Sequence, residues 1–400
     1  MTKLAGHPEV VAVAVFLKQA RERGHAAVEI DLTGVEGGTY ANAIVPLAAL
    51  VEQHKELGLQ VTVKVATDSF LNHARVRSPL LATRENLSAA TNRLSLVWAY
   101  TEDLAVHLCN SLVEDFSRQV QFSPGVLQTL NWSLYEVLDN VFQHSHVEQG
   151  FVMASVTKQR PRLSVCVADT GIGIHRSFIR GGVHRPRTGV DAITLALQEG
   201  VSSTGDKRGN GLYGLKAAVE ENRGSLRLIS GRSGLEMTDK RVTTLNLGSG
   251  IIADDDHFGT VVDWQVRTDQ AVDISKVLAG RAVHSRLESF ESDEGFHIIK
   301  LAEHAHGTGS RKAATELRNW LVNVLNEGAP VLYLDFEGVN VVSSSFADET
   351  IGKLAETFGP IEFARRIRLV HMSETIERLL DRAISIRLAN LYAAPQAQKR

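Results

Sequence analysis

Two stretches far apart in this chain carry the same string of local signals, and that repetition constrains the fold more than any other feature. Near the start, His7 to Gly24 has a helical pattern and Ala27 to Leu32 reads as a strand. Near the end, Arg311 to Gly328 and Val331 to Phe336 repeat that order. At one constant spacing Phe16 meets Trp320, Gly24 meets Gly328, Asp31 meets Asp335, Gly34 meets Gly338 and Val35 meets Val339. Both strands end in Asp-apolar-x-Gly-Val. A turn, a helix and another strand follow in each case, Gln60 to Ala66 and Ile367 to His371. The pattern predicts a small α/β unit at each end and a larger α/β unit between them, with the last joint inside Gln265 to Leu287. The expected boundaries are 1–75, 76–270 and 285–395.

Composition narrows the class. At 44% hydrophobic and 22% charged residues, the chain is neither disordered nor collagen-like. Its apolar runs, such as Val10 to Leu17 and Ile44 to Val51, fall well short of the ~20 residues that cross a bilayer. Cys109 and Cys166 are the only cysteines and form no metal-ligand spacing, so reduced thiols and a cytoplasmic location are expected. With 43 basic and 46 acidic side chains there is no global basic field to hold nucleic acid.

Three segments of the middle carry chemistry. In Leu134-Tyr135-Glu136-Val137-Leu138-Asp139-Asn140-Val141-Phe142-Gln143-His144-Ser145, helical spacing puts Leu134, Val137, Leu138 and Val141 on one face. Glu136, Asn140 and Gln143 share the other, an acid and an amide one turn apart. Next, the apolar strand Leu163 to Ala168 delivers Asp169-Thr170-Gly171-Ile172-Gly173-Ile174. The acid can accept a hydrogen bond from an exocyclic amine, and the glycines let a ring or phosphate approach the backbone. Finally, Gly209-Asn210-Gly211-Leu212-Tyr213-Gly214-Leu215-Lys216 opens a helix whose free N–H groups suit an anion. A dinucleotide site would need such glycines straight after a first strand, whereas here they follow a long polar connection.

Together these segments resemble the N, G1 and G2 boxes of the GHKL ATPase superfamily, which includes gyrase B, MutL, histidine kinases and anti-sigma-factor serine kinases. The likeness spans roughly Glu102 to Arg267. It implies a central Bergerat α/β sandwich, flanked by the two small α/β units, that binds ATP with Mg²⁺. By that resemblance Asn140 would ligate Mg²⁺ and Glu136 would orient or activate the attacking group. Asp169 would hold the adenine amino group, and Gly171 and Gly173 would shape the base pocket. Gly209, Gly211 and Gly214 would wrap the phosphates. Asp139, Ile174, Asn210, Leu212, Leu215 and Thr260 complete the implied nucleotide contacts. His175 to Arg208 would be the ATP lid, with six basic and three acidic side chains, and Lys207 and Arg208 its phosphate contacts. No phospho-acceptor histidine helix precedes the first box, which argues against a two-component histidine kinase.

The last unit resembles STAS-like domains found beside such ATPases, over about Phe296 to Leu391. In the related antagonists an Asp-Ser-x-Gly turn enters a helix and its serine is phosphorylated. Ser344 takes that position, but Ser343 replaces the Asp and Phe346 the Gly, so Ser343 to Ser345 also read as a helix cap. The first unit has Gly37-Gly38-Thr39 instead and resembles a degenerate STAS-like copy without an acceptor. The expected function is a nucleotide-switched regulator acting on a STAS-like or signalling protein, in cis or in a partner, with a homodimer left open. A serine kinase of anti-sigma type and a MutL- or gyrase-type ATPase clamp share the same binding site and are the alternatives.

Overall fold

The computed structural model describes residues 4, 6–35, 40–157, 161–203, 211–247, 259–278, 290, 292 and 296–393. The chain forms two compact units, residues 1–115 with 129–280 and residues 116–128 with 281–400. In chain order the first contains α1 (His7–Glu22), β1 (Ala27–Asp31), α2 (Ala41–Glu56), β2 (Gln60–Lys64), α3 (Phe70–His73), β3 (Leu80–Leu81), α4 (Arg84–Ala89) and β4 (Trp98–Tyr100). After them come α5 (Ala105–Gln119) and α6 (Val126–Ser145), whose residues 116–119 and 126–128 fall in the second unit, then β5 (Gly150–Thr157), β6 (Arg162–Asp169), α7 (Gly173–Gly181), α8 (Gly189–Ala196) and α9 (Gly211–Glu221). The unit closes with β7 (Ser225–Ser230), β8 (Ser233–Thr238), β9 (Arg241–Asn246), β10 (Thr260–Arg267) and α10 (Ile274–Leu278). The fold is mixed α/β with open sheets.

Eight strands form one sheet in the order β3-β4-β5-β6-β10-β7-β8-β9. Only β3 and β4 pair in parallel; every other neighbour is antiparallel. Side chains alternate across such a sheet. One face presents Phe151, Met153, Cys166, Ala168, Ile229 and Val261, and these share a core with α1, α2, β1 and β2. Helix α2 explains why. Ala41 and every residue from Ala43 to Val51 are buried, so over this stretch it has no polar face to give to water. It lies against β5, β6 and β10 as well as against α1 and β2. The polar Asn42 meets the sheet through Asp263, Nδ2 donating to Oδ2 over 3.4 Å. Burial pushes the Asp263 carboxyl up to about 7, against Arg227 and the Asn42 amide.

Two parts of this unit depart from the sequence expectation. The polar connection from Ile174 onward contains α7 and α8, the latter closed by a capping box between Thr188 and Asp191. Strand β8 is not among the sequence expectations, although Leu235 and Met237 alternate with Glu236 in it. It is held by β7 on one side and β9 on the other.

The second unit contains β11 (His297–Lys300), α11 (Leu301–His304), α12 (Arg311–Asn326), β12 (Leu332–Asp335), α13 (Ser344–Ala347), α14 (Lys353–Arg366), β13 (Ile367–Val370) and α15 (Glu374–Ala393). One π turn, Asp348–Gly352, joins α13 to α14. The three strands are parallel with β12 central, and Leu332 pairs with both His297 and Ile367. Trp320, Phe336, Phe346 and Leu354 fill the core between sheet and helices. In the π turn, Glu349 is buried and accepts hydrogen bonds from Arg318, Thr315 and Lys353.

The two ends make the same bonds at matching positions. Asp31 Oδ1 accepts from Thr33 N at 2.9 Å, and Asp335 Oδ1 from Glu337 N at 2.8 Å. Leu32 N donates to the Lys64 carbonyl as Phe336 N does to Val370. Val35 N closes its turn on Leu32 as Val339 N does on Phe336. The correspondence breaks at Phe16, which is exposed whereas Trp320 is buried.

Residues 116–128 belong to the second unit because α12 grips them. Asn319, Asn323 and Asn326 lie at i, i+4 and i+7 on one helix face. Asn323 accepts from Phe122 N at 2.8 Å and donates to the carbonyls of Ser117 and Val120. Asn319 donates to the Arg118 carbonyl and Asn326 to that of Phe122. Removing the Asn323 amide strands one backbone donor and two acceptors. We expect Asn323→Ala to lose roughly 2–4 kcal/mol of stability in urea unfolding of the full chain. A loss below the ~0.5 kcal/mol of an ordinary surface change would contradict the grip.

Candidate functional site

Helix α6 is the spine of the site. Leu134, Val137, Leu138 and Val141 are buried on its core side, as its spacing predicts. Glu136, Asp139 and Asn140 are half-buried on the other flank. That flank does not face open water. Gly211, the first residue of α9, lies so close that a Cβ there would sit 2.7 Å from Glu136 Oε2 and 3.1 Å from Asn140 Nδ2. One turn on, a Cβ at Gly214 would overlap the Trp132 ring. Absent side chains at 211 and 214 therefore let α9 begin against the polar flank of α6. Leu215 is buried behind them and Leu212 half-buried.

The C-terminal end of α6 meets the loop after β6. Ile172 N donates to the Ser145 carbonyl at 3.1 Å, and a Cβ on Gly171 would overlap that same carbonyl. Gly173 opens α7 with φ +74°, and Ile174 N donates to Ser230 Oγ at 2.8 Å. Gly171 also accepts from Gly259 N, which ties the loop to the start of β10. There Thr260 pairs with Asp169 in register. Asp169 is 4% exposed and takes the Gly171 N–H at 2.8 Å. Burial pushes its carboxyl up to about 6, against hydrogen bonds from Gly171, Ser145 and Thr260 that favour the anion. Asp169 is thus a buried acid ringed by two backbone N–H groups and two hydroxyls.

The structure thus brings Glu136 and Asn140 of α6 against Gly211 of α9, where Leu212, Gly214 and Leu215 follow, while Asp139 lies near Tyr100. It gathers Asp169, Gly171, Gly173, Ile174 and Thr260 at the ends of β6 and β10. Lys207, Arg208, Gly209 and Asn210 lie outside the described residues, as does Gly37-Gly38-Thr39. Ser344 is exposed at the first position of α13. Ser343, standing where the resemblance expects Asp, caps that helix by accepting from Phe346 N at 3.1 Å.

Four participants escaped the sequence reading. Trp132 lies one turn before Glu136 on the same flank, so helical spacing could have found it. Ser145 is the last residue of the first segment, where its hydroxyl gave no sign of Asp169. Ser230 gave no signal, since only strand pairing carries it to Thr260, Oγ to Oγ1 at 3.3 Å. His144, which the helical spacing leaves without a role, is half-buried and shares a hydrogen bond with Ser203 Oγ at 3.0 Å. Ser203 in turn meets Ser177 Oγ at 2.8 Å, so the fold holds this hydroxyl between α6 and α7. Burial lowers the His144 pKa, which favours the neutral ring.

Residues 313–377 match the family model of a STAS-like domain of unknown function (DUF4325), so the C-terminal unit carries a STAS-like domain. No curated protein matches the chain. No helix among the described residues is long and apolar enough to cross a membrane.

The raised Asp169 pKa makes a prediction about the unliganded chain. A carboxyl whose folded pKa exceeds its unfolded value stabilises most below the unfolded pKa, and that contribution is lost as pH rises through the folded one. Between pH 4 and pH 7 the loss is on the order of 3 kcal/mol. Asp169→Asn cannot ionise, so the parent should lose stability relative to it by that amount over this window. Parallel stability curves in denaturant would contradict the burial of a titrating group at 169.

Proposed function

We propose that this chain is an ATP- and Mg²⁺-binding regulatory protein of GHKL type whose nucleotide state switches the interactions of its STAS-like domain. The observation that carries the reading is the layout along α6. Ser145 marks the Asp169–Gly171–Thr260 cluster, and Glu136, nine residues earlier, faces the start of α9. At 1.5 Å per residue that separation is roughly 13 Å, about the reach of an extended nucleoside triphosphate. Asp169 takes the adenine amine at one end, and the N–H groups opening α9 meet the phosphates at the other. Asn140 offers an amide oxygen beside those phosphates, a hard donor of the kind Mg²⁺ accepts when phosphates supply most of its shell. Glu136, one turn earlier on the same flank, orients or activates the attacking group.

Regulation rests on chain continuity. Helix α6, which carries the nucleotide flank, begins within the segment that α12 grips in the STAS-like unit. A ligand shifts a conformational equilibrium only by its differential affinity for two states, and occupancy of the α6 flank supplies such a difference. In this reading residues 1–75 are a degenerate STAS-like copy that serves the central sheet as a cover. A second reading, a serine kinase acting on a STAS-like domain, gains from the exposure of Ser344 at the start of α13.

Asp169→Ala should weaken ATP by on the order of 10- to 150-fold, the value of one hydrogen bond to a buried carboxylate. Unchanged affinity by calorimetry in a folded variant overturns the assignment. With γ-labelled ATP and Mg²⁺, neither labelled protein nor free phosphate is expected of a binding switch. Label on the parent that Ser344→Ala abolishes supports the kinase reading instead, and free phosphate supports an ATPase. Where turnover is found, Glu136→Gln should cost roughly 10²- to 10⁴-fold in rate while affinity stays within a few-fold.

A further inference from the structure

The STAS-like unit carries a second group of chemically active side chains, away from Ser344. Asp335 ends β12, Glu337 lies in the turn that follows, and His371 comes directly after β13. One ligand-type atom from each lies within 4.8 Å of the other two. Asp335 is buried, while Glu337 and His371 are open to water. His371 Nδ1 and Asp335 Oδ1 are 2.8 Å apart, close enough for both to face one ion instead of sharing a proton. The group stands at the carboxyl edge of a parallel sheet, where open α/β sheets place their ligands. Lys300, ending the third strand, pairs with Glu303 over 3.6 Å.

The chain contains its own control. At the other end, Asp31 closes the same turn with the same hydrogen bond, and Leu32 and Lys64 make the same link between strands. There Thr33 stands in the place of Glu337 and Val65 in that of His371. The turn and the strand pairing therefore form without a second carboxylate and without an imidazole. Glu337 and His371 are not what the fold requires at this edge. His371 even adopts the left-handed backbone, φ 56°, which is uncommon outside glycine and disfavours Val and most other side chains.

We propose that Asp335, Glu337 and His371 form a binding site for a divalent transition-metal ion. Two carboxylates and one imidazole are a mixed oxygen and nitrogen set that suits Zn²⁺ or Mn²⁺, whereas Mg²⁺ and Ca²⁺ take oxygen ligands. Water completes the shell on the exposed side. The site is separate from the Mg²⁺ position proposed on α6, which depends on nucleotide phosphates.

The test uses the full chain without nucleotide, titrated with Zn²⁺ against a chromophoric chelator. One site is expected, weakened at least tenfold by Glu337→Gln and by His371→Asn. Asparagine tolerates the left-handed backbone and can still donate to Asp335, so His371→Asn keeps the fold while removing the imidazole. Asn140→Ala should leave this affinity unchanged, which separates the result from the fate of the nucleotide reading. As a check without substitutions, Mn²⁺ should selectively broaden the NMR signals of the His371 ring in the parent chain. Binding no tighter than millimolar, equal binding in all variants, or broadening confined to other histidines overturns the proposal.

Discussion

A stretch of helix with no polar face must be covered all round, and α2 imposes that demand on the first unit. From Ala43 to Val51 it offers only apolar or small side chains, so β1, β2 and α1 cannot bury it alone. The remaining cover comes from Phe151, Met153, Cys166, Ala168 and Val261 of the eight-stranded sheet. One face of that sheet is thereby spent on the N-terminal segment. Asp169 and Thr260 alternate with Ala168 and Val261, so they project from the opposite face. The candidate site lies where it does partly because its back is closed by α2.

Within the site, steric absence matters as much as chemistry. Glu136 and Asn140 acquire meaning because Gly211 lets the start of another helix approach them. Asp169 acquires its raised pKa because Gly171 lets the following loop lie against Ser145 and seal the carboxyl from water. Side chains at these glycines would push apart the elements that hold the acids in place.

Much of this was legible in the sequence, for identifiable reasons. The period of α6 separates Leu134 and Val141 from Glu136 and Asn140 because a helix repeats every 3.6 residues whatever packs on it. The Asp31 and Asp335 turns were legible because each is local, closed by a bond two residues away. What stayed hidden depends on partners distant in the chain. Ser230 reaches Thr260 only through strand pairing, and β8 is held in the sheet between β7 and β9. His144 meets Ser203, 59 residues further on, only once the chain folds back. Phe16 and Trp320 matched in sequence yet differ in burial, since a helix pattern does not say which neighbour covers it.

The grip of α12 on residues 116–128 also sets an order of events during synthesis. Phe122 N finds its acceptor on Asn323, 201 residues further along the chain. While a ribosome is still making the middle of the protein, Phe122 N has no Asn323 to donate to. The connection into α6 is thus completed last, when the final quarter of the chain emerges. A truncated product that stops before α12 would carry the residues of the first unit with that connection left open, a natural handle for chaperones and proteases.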